Sequence, residues 1–185
     1  MRFVLHYRGP LKSNGAPAHK HELRRHFHRQ LKQLWAQEPL SEFPKWIARE
    51  KDVSEYHFLR VCGAFTFAPL VTAEANVVAE LDITMLRPEA PGGLITQGGD
   101  IDNRLKSLFD ALSMPPQSGA LPAGAVPRPD EVPLFCLLED DNLVVKVAVQ
   151  TEQLLEPVDD KSLVEVAIAV NTRVTRTSWD NKIFT

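Results

Sequence analysis

The sequence predicts an α/β (α+β) fold, a mixed β-sheet carrying one or two packed helices, in a single domain spanning 1–185. Three observations lead there. Residues Val77 to Leu86 alternate, with Val77, Ala79, Leu81, Ile83 and Met85 on one face and Glu80, Asp82 and Thr84 on the other, the period of a half-buried strand. Two other segments, His19 to Gln37 and Ile101 to Ser113, repeat apolar residues at helical spacing. A chain of 185 residues, 44% hydrophobic, can bury a core without metal or disulfide staples.

Taken in order, Arg2 to Tyr7 reads as a short strand, stopped by the turn-forming run Gly9-Pro10-Leu11-Lys12-Ser13-Asn14-Gly15. In the first helix Leu23, Phe27, Leu31 and Leu34 make the apolar stripe, which leaves Lys20, Arg24, Arg25, His28, Arg29 and Lys32 on the remaining surface. Residues 38–55, with Pro39 and Pro44, read as irregular or briefly helical. Phe58 to Leu70 and Val77 to Leu86 are strand candidates, and Pro88 to Gly99 is rich in turn residues. The second helix has its stripe at Ile101, Leu105, Leu108, Phe109 and Leu112. Six prolines between Pro115 and Pro133 mark a loop insertion over 114–133, too long to lack a purpose. Strands are expected at Leu143 to Val149 and Leu163 to Val170, and the tail from Asn171 shows no pattern.

No stretch approaches the ~20 apolar residues of a membrane span. The start lacks a secretory apolar core, since Arg2, His6 and Arg8 interrupt it, so a cytoplasmic chain with no membrane partner is expected. Cys62 and Cys136 lie far apart without metal-ligand spacing and are expected to be core thiols. His19-x-His21 and His26-x-His28 place their rings on different helix faces, which disfavours zinc. Trp35, Trp46 and Trp179 read as packing residues before base-stacking ones. Charge is uneven: residues 1–60 carry 12 Lys and Arg against 6 Asp and Glu, and the remainder 9 against 18. A basic part can face phosphates while an acidic part holds cations; solvation of two surfaces is the plainer account.

Chemistry concentrates in Gly99-Asp100-Ile101-Asp102-Asn103-Arg104-Leu105-Lys106 and in Glu139-Asp140-Asp141. Asp100 falls at a helix N-cap and Asp102 in its first turn, with Lys106 and Asp110 following at four-residue steps on the flank away from the apolar stripe. A structural role explains this cheaply, through capping, the helix dipole and an Asp102–Lys106 pair. The second acidic run weakens that account, because three adjacent acids repel unless a cation or solvent offsets them. Hard divalent ions take such oxygen ligands, and a pair of them can activate water and stabilise the leaving oxygen in phosphoryl transfer.

The run D-x-D-N-x-x-K-x-x-x-D-A-L (Asp100, Asp102, Asn103, Lys106, Asp110, Ala111, Leu112), with a later D-D before an apolar strand, resembles the RusA family of Holliday junction resolvases. The likeness covers chiefly Gly99 to Leu112 and Glu139 to Val149. It implies a Mg²⁺-dependent endodeoxyribonuclease, with Mn²⁺ as a substitute metal. Asp100, Asp102 and Asp141 would be both catalytic and metal-binding, and Lys106 would act on the scissile phosphate. It further implies a homodimer acting on branched DNA such as four-way junctions. Lys20, Arg24, Arg25, Arg29, Lys32 and Arg104 are the candidate DNA contacts. The long Pro-rich loop, the extra residues before Phe58 and the acidic balance depart from the family and bear on junction selectivity. Other DNA substrates, or a non-catalytic DNA-binding or regulatory module on the same fold, are the alternatives.

Overall fold

Among the described residues of the computed structural model (1–48, 56–88, 101–160 and 162–185), seven strands and two helices form a mixed α+β architecture. The order is β1 (Arg2–Pro10), α1 (Pro17–Trp35), β2 (Arg60–Cys62), β3 (Phe65–Val71), β4 (Val77–Arg87), α2 (Ile101–Leu112), β5 (Leu134–Leu138), β6 (Val144–Gln153) and β7 (Leu163–Val174). The expected single sheet is two. The larger runs β1-β7-β4-β6, antiparallel except that β6 lies parallel to β4; the smaller runs β2-β3-β5, with β5 parallel to β3.

β4 follows its alternation closely. Val77, Ala79, Leu81, Ile83 and Met85 are buried, whereas Asp82 and Thr84 are exposed. Beside it Val166, Ile168 and Val170 of β7 and Leu5 and Tyr7 of β1 complete the inner face. Helix α1 opens with Pro17, whose missing N–H costs nothing in a first turn. It buries Leu23, Phe27, Leu31 and Trp35, so the stripe ends on Trp35 and Leu34 packs only at the margin. The expected strand over Phe58 to Leu70 is interrupted at Gly63, whose φ of +59° turns the chain between β2 and β3.

Strand β5 has no counterpart in the expectations. Its run Leu-Phe-Cys-Leu-Leu is buried throughout, so it carries no alternation to reveal a strand. The tail is also more ordered than expected. β7 runs to Val174, and a 3-10 turn at Lys182–Phe184 returns Phe184 to the core. There its ring stacks on Trp46 (centroids 6.0 Å, planes 15° apart), which in turn stacks on Phe58 at 5.1 Å. Asn181, fully buried, holds the return by donating to Ala75 O and Arg176 O, both at 2.9 Å.

The Pro-rich segment is strapped to α1. Glu131 is 2% exposed and accepts from Arg25 Nε at 2.7 Å and from Arg128 N at 2.9 Å. His28 Nδ1 accepts from Phe135 N at 2.9 Å, so its proton sits on Nε2, which donates to Asp130 O at 3.1 Å. Leu121 of the same segment closes a small apolar cluster around Phe65, Phe67 and the free thiols of Cys62 and Cys136. The segment covers α1 and this cluster, which accounts for its length.

Candidate active site

Helix α2 is fixed at both ends by polar contacts. Near its start, Arg104 donates to Leu11 O at 2.7 Å, and Ser107 Oγ accepts from Gly15 N at 2.8 Å, which docks the turn after β1 on the helix. At its end the last carbonyls lack helical partners. Arg24 of α1 supplies them, donating from Nε to Ser113 O at 3.0 Å and from Nη2 to Asp110 O at 2.5 Å. Met114 N then donates to Leu138 O at 2.9 Å, which joins the end of α2 to the end of β5. These contacts carry Asp110 to the point where the chain leaves β5 through Glu139, Asp140 and Asp141.

A cavity of about 220 Å³ lies at this junction, lined among others by Lys20, Arg24, Asp110, Glu139, Asp140 and Asp141. The charges are partly matched. Lys20 Nζ is 2.6 Å from Asp110 Oδ2. Glu139 is held by Arg60 Nε at 2.6 Å and accepts from Ala73 N at 3.0 Å, so its charge is committed to the smaller sheet. Asp140 accepts from Asn142 N at 2.9 Å and thereby starts the 3-10 turn Asp141–Leu143. Asp141 stands exposed on that turn. The repulsion anticipated among the three acids is thus offset by Arg60 and by solvent.

The family-derived set is only partly brought together. Asp141 lines the cavity, whereas Asp102 and Lys106 sit exposed on the outer flank of α2 and do not. Asp102 precedes Asp110 by two helical turns, roughly 12 Å along the axis. Asp100 lies outside the described residues. The donors present are carboxylate oxygens, the type hard divalent cations take. Among the described residues, however, no three His, Cys, Asp or Glu side chains are grouped to hold an ion, so these carboxylates supply only part of a metal's donor set. Asp110, present in the motif without an assigned role, is the α2 carboxylate that lines the cavity with Asp141; its position eight residues after Asp102 is the sequence signal that could have singled it out.

The candidate DNA contacts divide. Arg24 (2% exposed) and Arg104 (6%) point inward to backbone carbonyls, which corrects their expected place on a phosphate-facing surface. Arg25 is engaged by Glu131 and Glu22. Lys32 donates to Asp130 O at 3.0 Å, and Lys20 pairs with Asp110. Arg29 is exposed, without an ion pair among the described residues. The basic face of α1 is therefore smaller than its composition suggests, because the helix uses its cations to hold α2 and the Pro-rich segment.

The α1 histidines serve the fold. His21 is 1% exposed, lies edge-on to Phe65 at 5.1 Å and has no hydrogen bond at either ring nitrogen. Burial, reinforced by Arg25 and Arg24, pushes its pKa down to about 4. Burial also lowers His28 and His19. Trp35 and Trp46 are buried, and Trp179 is exposed under Lys182 at 3.7 Å. No helix among the described residues is long and apolar enough to cross a membrane. No family model matches the chain, and neither a curated protein nor a solved structure does.

Proposed function

We propose that the chain is a cytoplasmic Mg²⁺-dependent endodeoxyribonuclease that hydrolyses phosphodiesters in branched DNA, four-way junctions foremost, with a second copy of itself as partner. The observation that carries this reading is the meeting of Asp141 and Asp140 with Asp110 and Lys20 in one open cavity, on the helix that bears the D-x-D-N-x-x-K motif. Asp102 and Asp141, with Asp100, are the residues that would hold Mg²⁺ or Mn²⁺. The metal would supply charge neutralisation and water activation. Lys106, exposed on the motif's flank, would place its ammonium against charge developing on the phosphate, and Lys20 would do so from the cavity side. Arg29 and Lys32, exposed on α1, would follow the flanking backbone.

One observation favours the non-catalytic alternative: Asp102 does not line the cavity that contains Asp141. Cleavage assays on a four-way junction, a flap and a linear duplex in Mg²⁺ separate the readings. Junction cleavage lost in Asp141→Asn supports the proposal; binding of all three substrates without cleavage supports the alternative.

A further inference from the structure

The three tryptophans end in different surroundings. Trp35 and Trp46 are 4% and 1% exposed, whereas Trp179 is 86% exposed. An indole left in water forgoes the burial that so large a ring ordinarily gains. A loose tail would explain it, but the loop that carries Trp179 is held. Asn181, fully buried, donates to Ala75 O and Arg176 O and accepts from Ser178 N at 2.8 Å. Ser178 Oγ accepts from Asn181 N at 3.3 Å and shares a hydrogen bond with Tyr56 Oη at 2.9 Å. A buried polar network thus fixes the loop on which the bare ring stands.

One face of the ring is covered by Lys182, whose Nζ lies 3.7 Å from the centroid, and the other is open. The surroundings are basic in the acidic part of the chain: residues 171–185 carry Arg173, Arg176 and Lys182 against Asp180. Arg173 is committed to Glu80 at 2.7 Å, but Arg176 is exposed and has no ion pair among the described residues. The loop also stands at the cavity's end of the molecule. Asn181 grips the turn between β3 and β4 at Ala75, and Glu139, which lines the cavity, accepts from Ala73 N of that same turn.

We infer, resting on the nucleic-acid part of the reading above, that Trp179 is a stacking platform for a nucleobase not enclosed in a duplex, with Arg176 and Lys182 taking the phosphates beside it. What it recognises in branched DNA is a base face bared at or beside the branch. A flat ring with one free face accepts any base, since every base has a π-face. Cations alone would hold a continuous duplex equally well. Because the loop is already fixed, little conformational freedom is lost on stacking.

The test titrates the full chain, without metal, with single-stranded oligo(dT) and with a long linear duplex whose ends are negligible, reading tryptophan fluorescence. Oligo(dT) should quench the emission, and Trp179→Ala should lose that quench. The same variant should bind oligo(dT) about tenfold more weakly while its affinity for the long duplex is unchanged. Trp179→Phe should keep most of the affinity, and Arg176→Ala should lower the salt slope by about one unit. The ring is exposed, so both Trp179 variants should unfold at the wild-type urea midpoint. Unchanged emission at saturating oligo(dT), or equal loss of affinity for single strand and duplex, would overturn the stacking platform. So would a blue shift with anionic phospholipid vesicles and no quenching by oligo(dT), which would assign the ring to a lipid surface. Quenching through Trp179 without junction cleavage would support the platform and count against the nuclease reading; junction cleavage with Trp179 unquenched would do the reverse.

Discussion

Asp102 and Arg24 lie on facing helices and carry opposite kinds of prediction. Asp102 is exposed, so Asp102→Asn should leave the fold intact, abolish most junction cleavage, and keep or tighten junction binding, because one charge that repels phosphate is gone. Gel-shift titration in Ca²⁺ beside cleavage in Mg²⁺ measures both. Arg24 is buried and closes two carbonyls at the end of α2, so Arg24→Met should cost about 2 to 4 kcal/mol of stability, read from urea midpoints. His21 sets an acid limit. Its folded pKa of about 4 lies below the ordinary 6.5, so in that window the unfolded chain binds a proton that the folded chain refuses. Its share of stability is complete above pH 6.5 and is lost as pH falls towards 4, on the order of 3 kcal/mol over the window. Melts of wild type and His21→Phe should diverge at pH 7 less than at pH 5, where the variant gains relative stability. Parallel pH profiles would remove His21 from the account.

Elements declared themselves in the sequence where one face is buried and the other wet. β4, α1 and α2 lie close to their expected bounds for that reason, and the chain's only strand buried throughout, among those described, is the one that went unforeseen. The tail was obscure for a different reason: Phe184 and Asn181 are single anchors, and single anchors have no period. Site residues were legible as chemical types but not as directions. A helical wheel marks Arg24 and Arg25 as off the apolar stripe, yet what they meet depends on α2 and on a segment about a hundred residues later. Salt dependence tests this division. Arg29→Ala should flatten the salt slope of DNA binding by about one unit per lost phosphate contact, whereas Arg25→Ala should instead free the Glu131 strap and lower stability.

In the whole molecule, the cavity sits where α1, α2 and the exit of β5 converge. The central claim is that Asp141 belongs to a hydrolytic centre and not merely to a turn. Single-turnover cleavage of a four-way junction in Mg²⁺ by Asp141→Asn, at protein concentrations where binding in Ca²⁺ is saturated, tests it most directly. A rate at least a hundredfold below wild type with junction affinity retained is expected; a variant that binds the junction and cuts it as fast as wild type would remove Asp141 from the hydrolytic centre.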